Sequence, residues 1–185
     1  VNFGITAFFA IGAYSTVARL GKFHAPREVF VAAEWDVVNP ALAQLYQGKA
    51  IFDFSTKPMG YYWIFPKAGE LNVGFGAPRA FATSLKERVG FYNQKWGVEG
   101  WTTKAAHWIP FALPGSQAVK GNVLLVGDAA GCADPATGGG ISWGVRSGSL
   151  ADTAIWMYLS GSGLGLAYYQ YAYELMLAEL QAGVA

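Results

Sequence analysis

An aspartate set among small residues, directly after a short apolar run, is the strongest chemical feature of this chain. Residues 121–148 read GNVLLVGDAAGCADPATGGGISWGVRSG. The run Asn122–Val126 predicts a strand buried on both faces. It delivers Asp128 at its carboxyl end, where ligands bind in α/β sheets. Gly127 and Gly131 permit a tight turn and a close backbone approach. Gly138, Gly139 and Gly140 precede a helix predicted from Ile141, so free N–H groups gather at the positive end of its dipole. Such a place suits an anion or an electron-rich carbonyl. Asp128 suits sugar-type hydroxyls and not a phosphate. No Gly-Lys-Ser/Thr follows, which excludes a P-loop. A plainer reading of a Gly-Asp pair alone is a turn before a helix, with the aspartate as a local cap.

A second constellation lies upstream. Residues 58–76 read PMGYYWIFPKAGELNVGFG. Strand alternation puts Tyr61, Trp63 and Phe65 on one face, and Tyr62 and Ile64 on the other. Pro66 marks the strand end. On the return strand Asn72, Gly74 and Gly76 share a face, which predicts a bare strip of backbone where a flat ligand or a chain could lie. Spacing alone also fits an aromatic core hairpin.

The first string resembles the second FAD-binding motif of the flavoprotein monooxygenase and reductase fold. Tyr61-x-Trp63-x-Phe65-Pro66, seven residues, then Gly74-x-Gly76 resembles the signature of the geranylgeranyl reductase family at every motif position. The resemblance implies an α/β fold with a β-rich insertion, the p-hydroxybenzoate hydroxylase-like FAD/NAD(P)-binding fold, here incomplete. It implies FAD at Gly127, Asp128, Ala129, Pro135, Gly138, Gly139, Gly140 and Ile141, with Asp128 on the ribityl chain. It implies an isoprenoid substrate against Tyr61, Trp63, Phe65, Pro66, Gly74 and Gly76. The implied reaction is saturation of isoprenoid double bonds by hydride from reduced flavin, with NADPH or reduced ferredoxin as electron donor. The alternatives are an FAD-dependent monooxygenase or halogenase acting on an aromatic compound, and an inactive fragment or non-enzymatic binding domain. No protein acid or base is implied.

Two departures accompany the resemblance. Residues 12–19, GAYSTVAR, are similar to the tail of the family's middle Asp-Gly motif, but Ile11 stands where the aspartate is expected. No G-x-G-x-x-G occurs. The chain is therefore expected to be the middle and later part of a longer protein, lacking on the order of a hundred upstream residues, and to bind FAD weakly or not at all in isolation. The expected organisation is a flavin-domain segment at 1–19, a β-rich substrate domain at 20–117 and a second flavin-domain segment at 118–185.

The elements that must position these residues follow from pattern. Strands are predicted at 28–38, 50–55, 61–67, 71–77 and 101–111, with Asn39-Pro40 ending the first and Pro110 and Pro114 stopping the last. Apolar residues at Phe81, Leu85, Val89, Tyr92 and Trp96 predict a helix over 81–96. Helices are predicted at 141–159 and 164–180, the second carrying Tyr168-Tyr169-Gln170-Tyr171 as packing residues.

Composition narrows the function classes. With 13 Lys+Arg against 12 Asp+Glu in 185 residues, no basic footprint points to nucleic acid. A 53% hydrophobic, 14% charged chain is not disordered. One cysteine and two histidines exclude a disulfide framework and a cysteine-based zinc site. Cys132 reads as a small apolar filler, His107 as a structural histidine, Lys67 as an exposed turn lysine, and Arg146 equally as a phosphate or an ion-pair partner. Residues 1–18 and 153–173 lack charge but are broken by glycine and polar residues, so neither reads as a membrane span. A cytoplasmic location is expected. The lipid-like substrate leaves peripheral membrane association and an electron-donor protein as expected partners.

Overall fold

The computed structural model describes residues 22–23, 27–57, 59–100 and 103–182. Residues 1–19, with Ile11 and the GAYSTVAR run, lie outside the described residues. The chain divides into two compact units. One contains the described parts of Val1–Val29, Ile109–Pro135 and Gly139–Ala185; the other contains those of Phe30–Trp108 and Ala136–Gly138.

The second unit is built on a five-stranded sheet. Its strands are β1 (Arg27–Val38), β2 (Ile51–Asp53), β3 (Tyr61–Pro66), β4 (Glu70–Pro78) and β5 (Thr103–Ala112), in the order β2-β3-β4-β1-β5. The β3–β4 hairpin closes with the Lys67 amide donating to the Glu70 carbonyl at 2.8 Å. Gly69 takes the left-handed φ of +78° that this turn needs. One sheet face carries Trp35, Val37, Ile64, Leu71, Val73 and Phe75, all buried. Helix α2 (Leu85–Lys95) covers it with Val89 and Tyr92. Tyr92 stacks on Tyr62 at 5.6 Å, and the Tyr62 hydroxyl donates to Asn93 Oδ1 at 2.7 Å.

Three local outcomes differ from the sequence pattern. A short helix α1 (Pro40–Leu45) follows β1 where only a strand stop is predicted. Asn39 caps it, its Oδ1 accepting from the Leu42 amide at 3.0 Å, with Pro40 in the first turn. Helix α2 begins at Leu85 and not at Phe81, because Arg79–Phe81 form a 3-10 turn and Ser84 takes a left-handed φ of +55°. Strand β5 continues through Pro110 to Ala112. It is an edge strand, where a missing N–H donor is tolerated.

Asp53, at the end of β2, is 7% exposed. It accepts from Lys95 Nζ at 2.7 Å and Trp96 Nε1 at 3.0 Å, and from the Ser55 hydroxyl at 2.6 Å. Burial alone would raise its carboxyl pKa, but the hydrogen bonds from Lys95, Ser55 and Trp96 outweigh it and hold the carboxyl well below the ordinary range. A depressed pKa gives stability that is present above the unfolded-state value and lost progressively as pH falls from that value through the folded one. Asp53→Ala should cost about 2 kcal/mol at neutral pH and flatten the acid limb of the stability curve. Urea denaturation at pH 7 and pH 3 checks both. An unchanged midpoint at pH 7 would show that this network holds nothing.

In the first unit, β6 (Val119–Lys120) and β7 (Val123–Leu124) form a two-stranded hairpin. The expected strand buried on both faces at 122–126 is not found. Among the described residues its ladder has one partner, and Val123 is 43% exposed. A continuous apolar run needs strands on each side and layers above and below to bury it. Helices α3 (Ile141–Leu159) and α4 (Gly165–Ala182) complete the unit. They meet closely at Gly165, where a Cβ would stand 2.2 Å from the Ala154 carbonyl oxygen. Tyr169 and Tyr173 of α4 are buried and donate to the carbonyls of Leu125 at 2.7 Å and Ala130 at 2.6 Å. No helix among the described residues is long and apolar enough to cross a membrane.

Candidate functional site

The glycine loop opens with a 3-10 turn, Gly127–Ala130, with Gly127 at φ +55° and Gly131 at φ +70°. A Cβ on Gly131 would lie 2.6 Å from the Ala112 amide nitrogen, so only glycine fits. The Gly127 amide donates to Ser147 Oγ at 2.9 Å, and the Cys132 amide to the Gly127 carbonyl at 3.0 Å. The Asp134 amide donates to the Gly139 carbonyl at 2.9 Å, which folds the loop back toward α3.

Asp128 is half-buried, and its carboxylate has no hydrogen-bond partner among the described residues. Burial raises its carboxyl pKa, with no donor nearby to oppose that effect. A Cβ built on Gly140 would lie 3.2 Å from Asp128 Oδ1, so the absence of a side chain there keeps the carboxylate open. Gly140 is also the N-cap of α3 and supplies no side-chain bond to its first turn. A partnerless carboxylate thus lies beside an uncapped helix start. This pairing accepts neutral hydroxyl donors at one point and electron-rich oxygen at the other.

The neighbours of the loop are settled structurally. Cys132 is fully buried, and burial pushes its thiol up to about 12, which suits a filler and not a nucleophile. Arg146 pairs with Glu179 at 2.7 Å and lies 5.5 Å from the Trp143 ring, so its charge has a protein partner. Ala129 is buried, and Pro135 is the last residue of its segment in the first unit.

The open face of the sheet in the second unit is aromatic on its β2–β3 side. Tyr61, Trp63 and Phe65 share this face, as alternation predicts, with ring centroids 5.6 and 6.1 Å apart. Phe52 stands 5.3 Å from Phe65, and Phe54 stands 5.5 Å from Tyr61. Phe52 and Phe54 are 49% and 63% exposed, an unusual amount of open aromatic surface. Pro66 ends β3 opposite Leu71.

The glycine strip on β4 is not bare. Trp63 opposes Gly74 and its indole covers it, so a Cβ there would lie 2.2 Å from Trp63 Cζ2. Phe30 covers Gly76 in the same way, at 2.3 Å. The two glycines leave room for aromatic rings against the backbone, and the covering rings are themselves buried, Phe30 fully and Trp63 at 7% exposed.

Sequence reasoning missed Phe30, and it missed the role of Asn72. Phe30, fully buried, packs on Gly76 and also on Gly138, where a Cβ would meet its Cδ1 at 2.8 Å. Asn72 is the hub of a polar network. Its Oδ1 accepts from Trp63 Nε1 at 2.9 Å, and its Nδ2 donates to Asp36 Oδ1 at 3.0 Å and to Glu34 Oε2 at 3.3 Å. Lys67 closes the network on Asp36 at 2.9 Å, and His107 Nε2 stands 3.5 Å from Glu34 Oε1. The signal was alternation in β1, which puts Glu34 and Asp36 opposite Gly74 and Asn72.

No protein-family model matches the chain. It is 27% identical over 189 residues to the digeranylgeranylglycerophospholipid reductase of Methanosarcina acetivorans, covering 94% of this chain and 45% of that protein. It is 31% identical over 160 residues to the protein of the same name from Methanocaldococcus jannaschii, covering 79% of this chain and 40% of that protein. The structure matches a geranylgeranyl bacteriochlorophyll reductase-like protein of Thermoplasma acidophilum with a TM-score of 0.59 at 20% identity, over 85% of this chain and 39% of that one. Over most of its own length the chain is therefore similar to geranylgeranyl reductases. It spans less than half the length of these relatives. The flavin-dependent halogenase CmlS shares the fold, with a TM-score of 0.57 at 18% identity over 89% of this chain and 33% of that one. The fold is therefore the p-hydroxybenzoate hydroxylase-like one of FAD-dependent enzymes, in part. It does not by itself separate reductase from halogenase.

Proposed function

We propose that this chain is part of an FAD-dependent reductase that saturates isoprenoid double bonds. The observation that carries the reading is the partnerless, half-buried Asp128 carboxylate beside Gly140 and the uncapped start of α3. The residues fit the cofactor. Ribityl hydroxyls are neutral donors that would satisfy Asp128. Gly138, Gly139, Gly140 and Ile141 offer backbone to the pyrimidine edge of the ring. Gly127, Ala129 and Pro135 shape the turn that carries Asp128. When bound, reduced flavin supplies the hydride, and a proton completes each saturation.

The chain's own part is binding, orientation and exclusion of water. Tyr61, Trp63, Phe65 and Pro66 give an apolar surface for a prenyl chain, with Gly74 and Gly76 seating the rings. The first unit is then part of the flavin domain and the second is the substrate domain. NADPH or reduced ferredoxin would reduce the flavin. A prenyl substrate carried by a membrane lipid would bring the protein to a membrane surface without spanning it.

The test uses the full-length natural protein. Its visible spectrum should show bound flavin. With a geranylgeranyl lipid and dithionite, mass spectrometry should show two hydrogens gained per double bond. A folded, colourless protein, or oxygen or halogen insertion into an aromatic compound in place of saturation, would overturn the reading.

A further inference from the structure

Tyr61 takes part in two structures at once. Its ring belongs to the aromatic surface, 6.0 Å from Phe30, 6.0 Å from Phe52 and 5.6 Å from Trp63. Its hydroxyl donates to the Thr137 carbonyl at 2.6 Å, in the middle of the glycine loop. The next loop residue, Gly138, sits at φ +68° against the Phe30 ring. Residues 136–138 are counted with the second unit, whereas Pro135 and Gly139 on either side belong to the first. Within the second unit, the centre of the glycine loop is therefore held by Tyr61 and Phe30.

We infer that Tyr61 couples the two ligand sites, so that an isoprenoid chain on the aromatic surface and FAD on the glycine loop each tighten the binding of the other. This rests on the reading given under Proposed function. A chain packed against the ring restricts Tyr61 and with it the hydroxyl that fixes Thr137. FAD held by residues 138–141 would restrict the same loop. Two ligands that favour one arrangement are coupled reciprocally. The contact on Phe30 is apolar and non-directional, so the Tyr61 hydroxyl supplies the orientation. One such hydrogen bond supports a coupling factor of about five.

The experiment titrates FAD by quenching of its fluorescence into the cofactor-stripped full-length protein, with and without saturating geranylgeraniol in detergent. In the wild type geranylgeraniol should tighten FAD binding about five-fold. Tyr61→Phe keeps the ring; with the affinity for each ligand alone measured as its own reference, its coupling factor should fall to near one. Phe52→Ala thins the surface and leaves the hydroxyl, so geranylgeraniol should bind more weakly with the coupling factor retained. Hydrogen exchange on the wild type gives a readout that does not depend on any variant folding: geranylgeraniol alone should protect the amides of residues 135–141. Wild-type coupling in Tyr61→Phe, a wild-type factor of one, or no protection of that segment overturns the inference and leaves the reductase reading standing. A wild type that binds no FAD overturns both.

Discussion

Replacing Asp128 with alanine in the full-length protein should weaken FAD binding by about ten- to a hundred-fold, the value of charge-assisted hydrogen bonds to the ribityl hydroxyls. The cofactor-free protein should be at least as stable as the wild type. Both halves follow from one observation, a half-buried carboxylate with no donor among the described residues. Its burial costs folding energy that no protein contact returns. The pH dependence has a definite sign. A carboxyl whose folded pKa is raised above 3.8 holds its proton more tightly when folded. Its ionisation therefore lowers stability as pH rises from the unfolded value through the folded one. This is opposite to Asp53, whose donors make ionisation stabilising. In Asp128→Asn that decline should vanish, with FAD affinity between those of wild type and the alanine variant. Flavin fluorescence titration and urea denaturation of the cofactor-free protein measure the two effects. Undiminished FAD affinity in Asp128→Ala would remove this residue from the cofactor site.

The turn that carries Asp128 was legible in the sequence because its surroundings are local. The turn glycines, the aspartate and the helix start fall within fifteen residues, so chain spacing fixes their geometry. The helix beginning at Ile141 and the sided arrangement of Tyr61, Trp63 and Phe65 were legible for the same reason, as consequences of helix start signals and strand alternation. Phe30 was not legible. It acts by covering Gly76 and Gly138, both distant in sequence, and nothing near Phe30 announces that. Asn72 was placed on the right face, but its role depends on Glu34 and Asp36 arriving from β1 and on a register set by tertiary packing. The run at 122–126 misled for a related reason. Continuous apolarity states what a segment tolerates, whereas its neighbours decide what buries it, and β7 has one strand beside it.

Gly74→Ala should destabilise the full-length protein by about 3 kcal/mol, while Gly90→Ala should stabilise it by about 1 kcal/mol. The same added methyl group meets opposite surroundings. At Gly74 the new Cβ would stand 2.2 Å from Trp63 Cζ2 and 2.6 Å from the Ala33 carbonyl oxygen. The backbone oxygen is fixed by the β1–β4 ladder, so the indole must leave. Its departure breaks the Trp63–Asn72 hydrogen bond and leaves the Asn72 Oδ1 without its donor. It also removes a ring from the surface assigned to the isoprenoid chain, so geranylgeraniol binding should fall with stability. At Gly90, inside α2, nothing stands within 4 Å of the new Cβ, and alanine gains the helix propensity that glycine lacks. Urea denaturation followed by tryptophan fluorescence compares the pair directly. Equal effects at the two positions would mean that the indole does not lie on the Gly74 backbone, and the aromatic surface would then need a different arrangement.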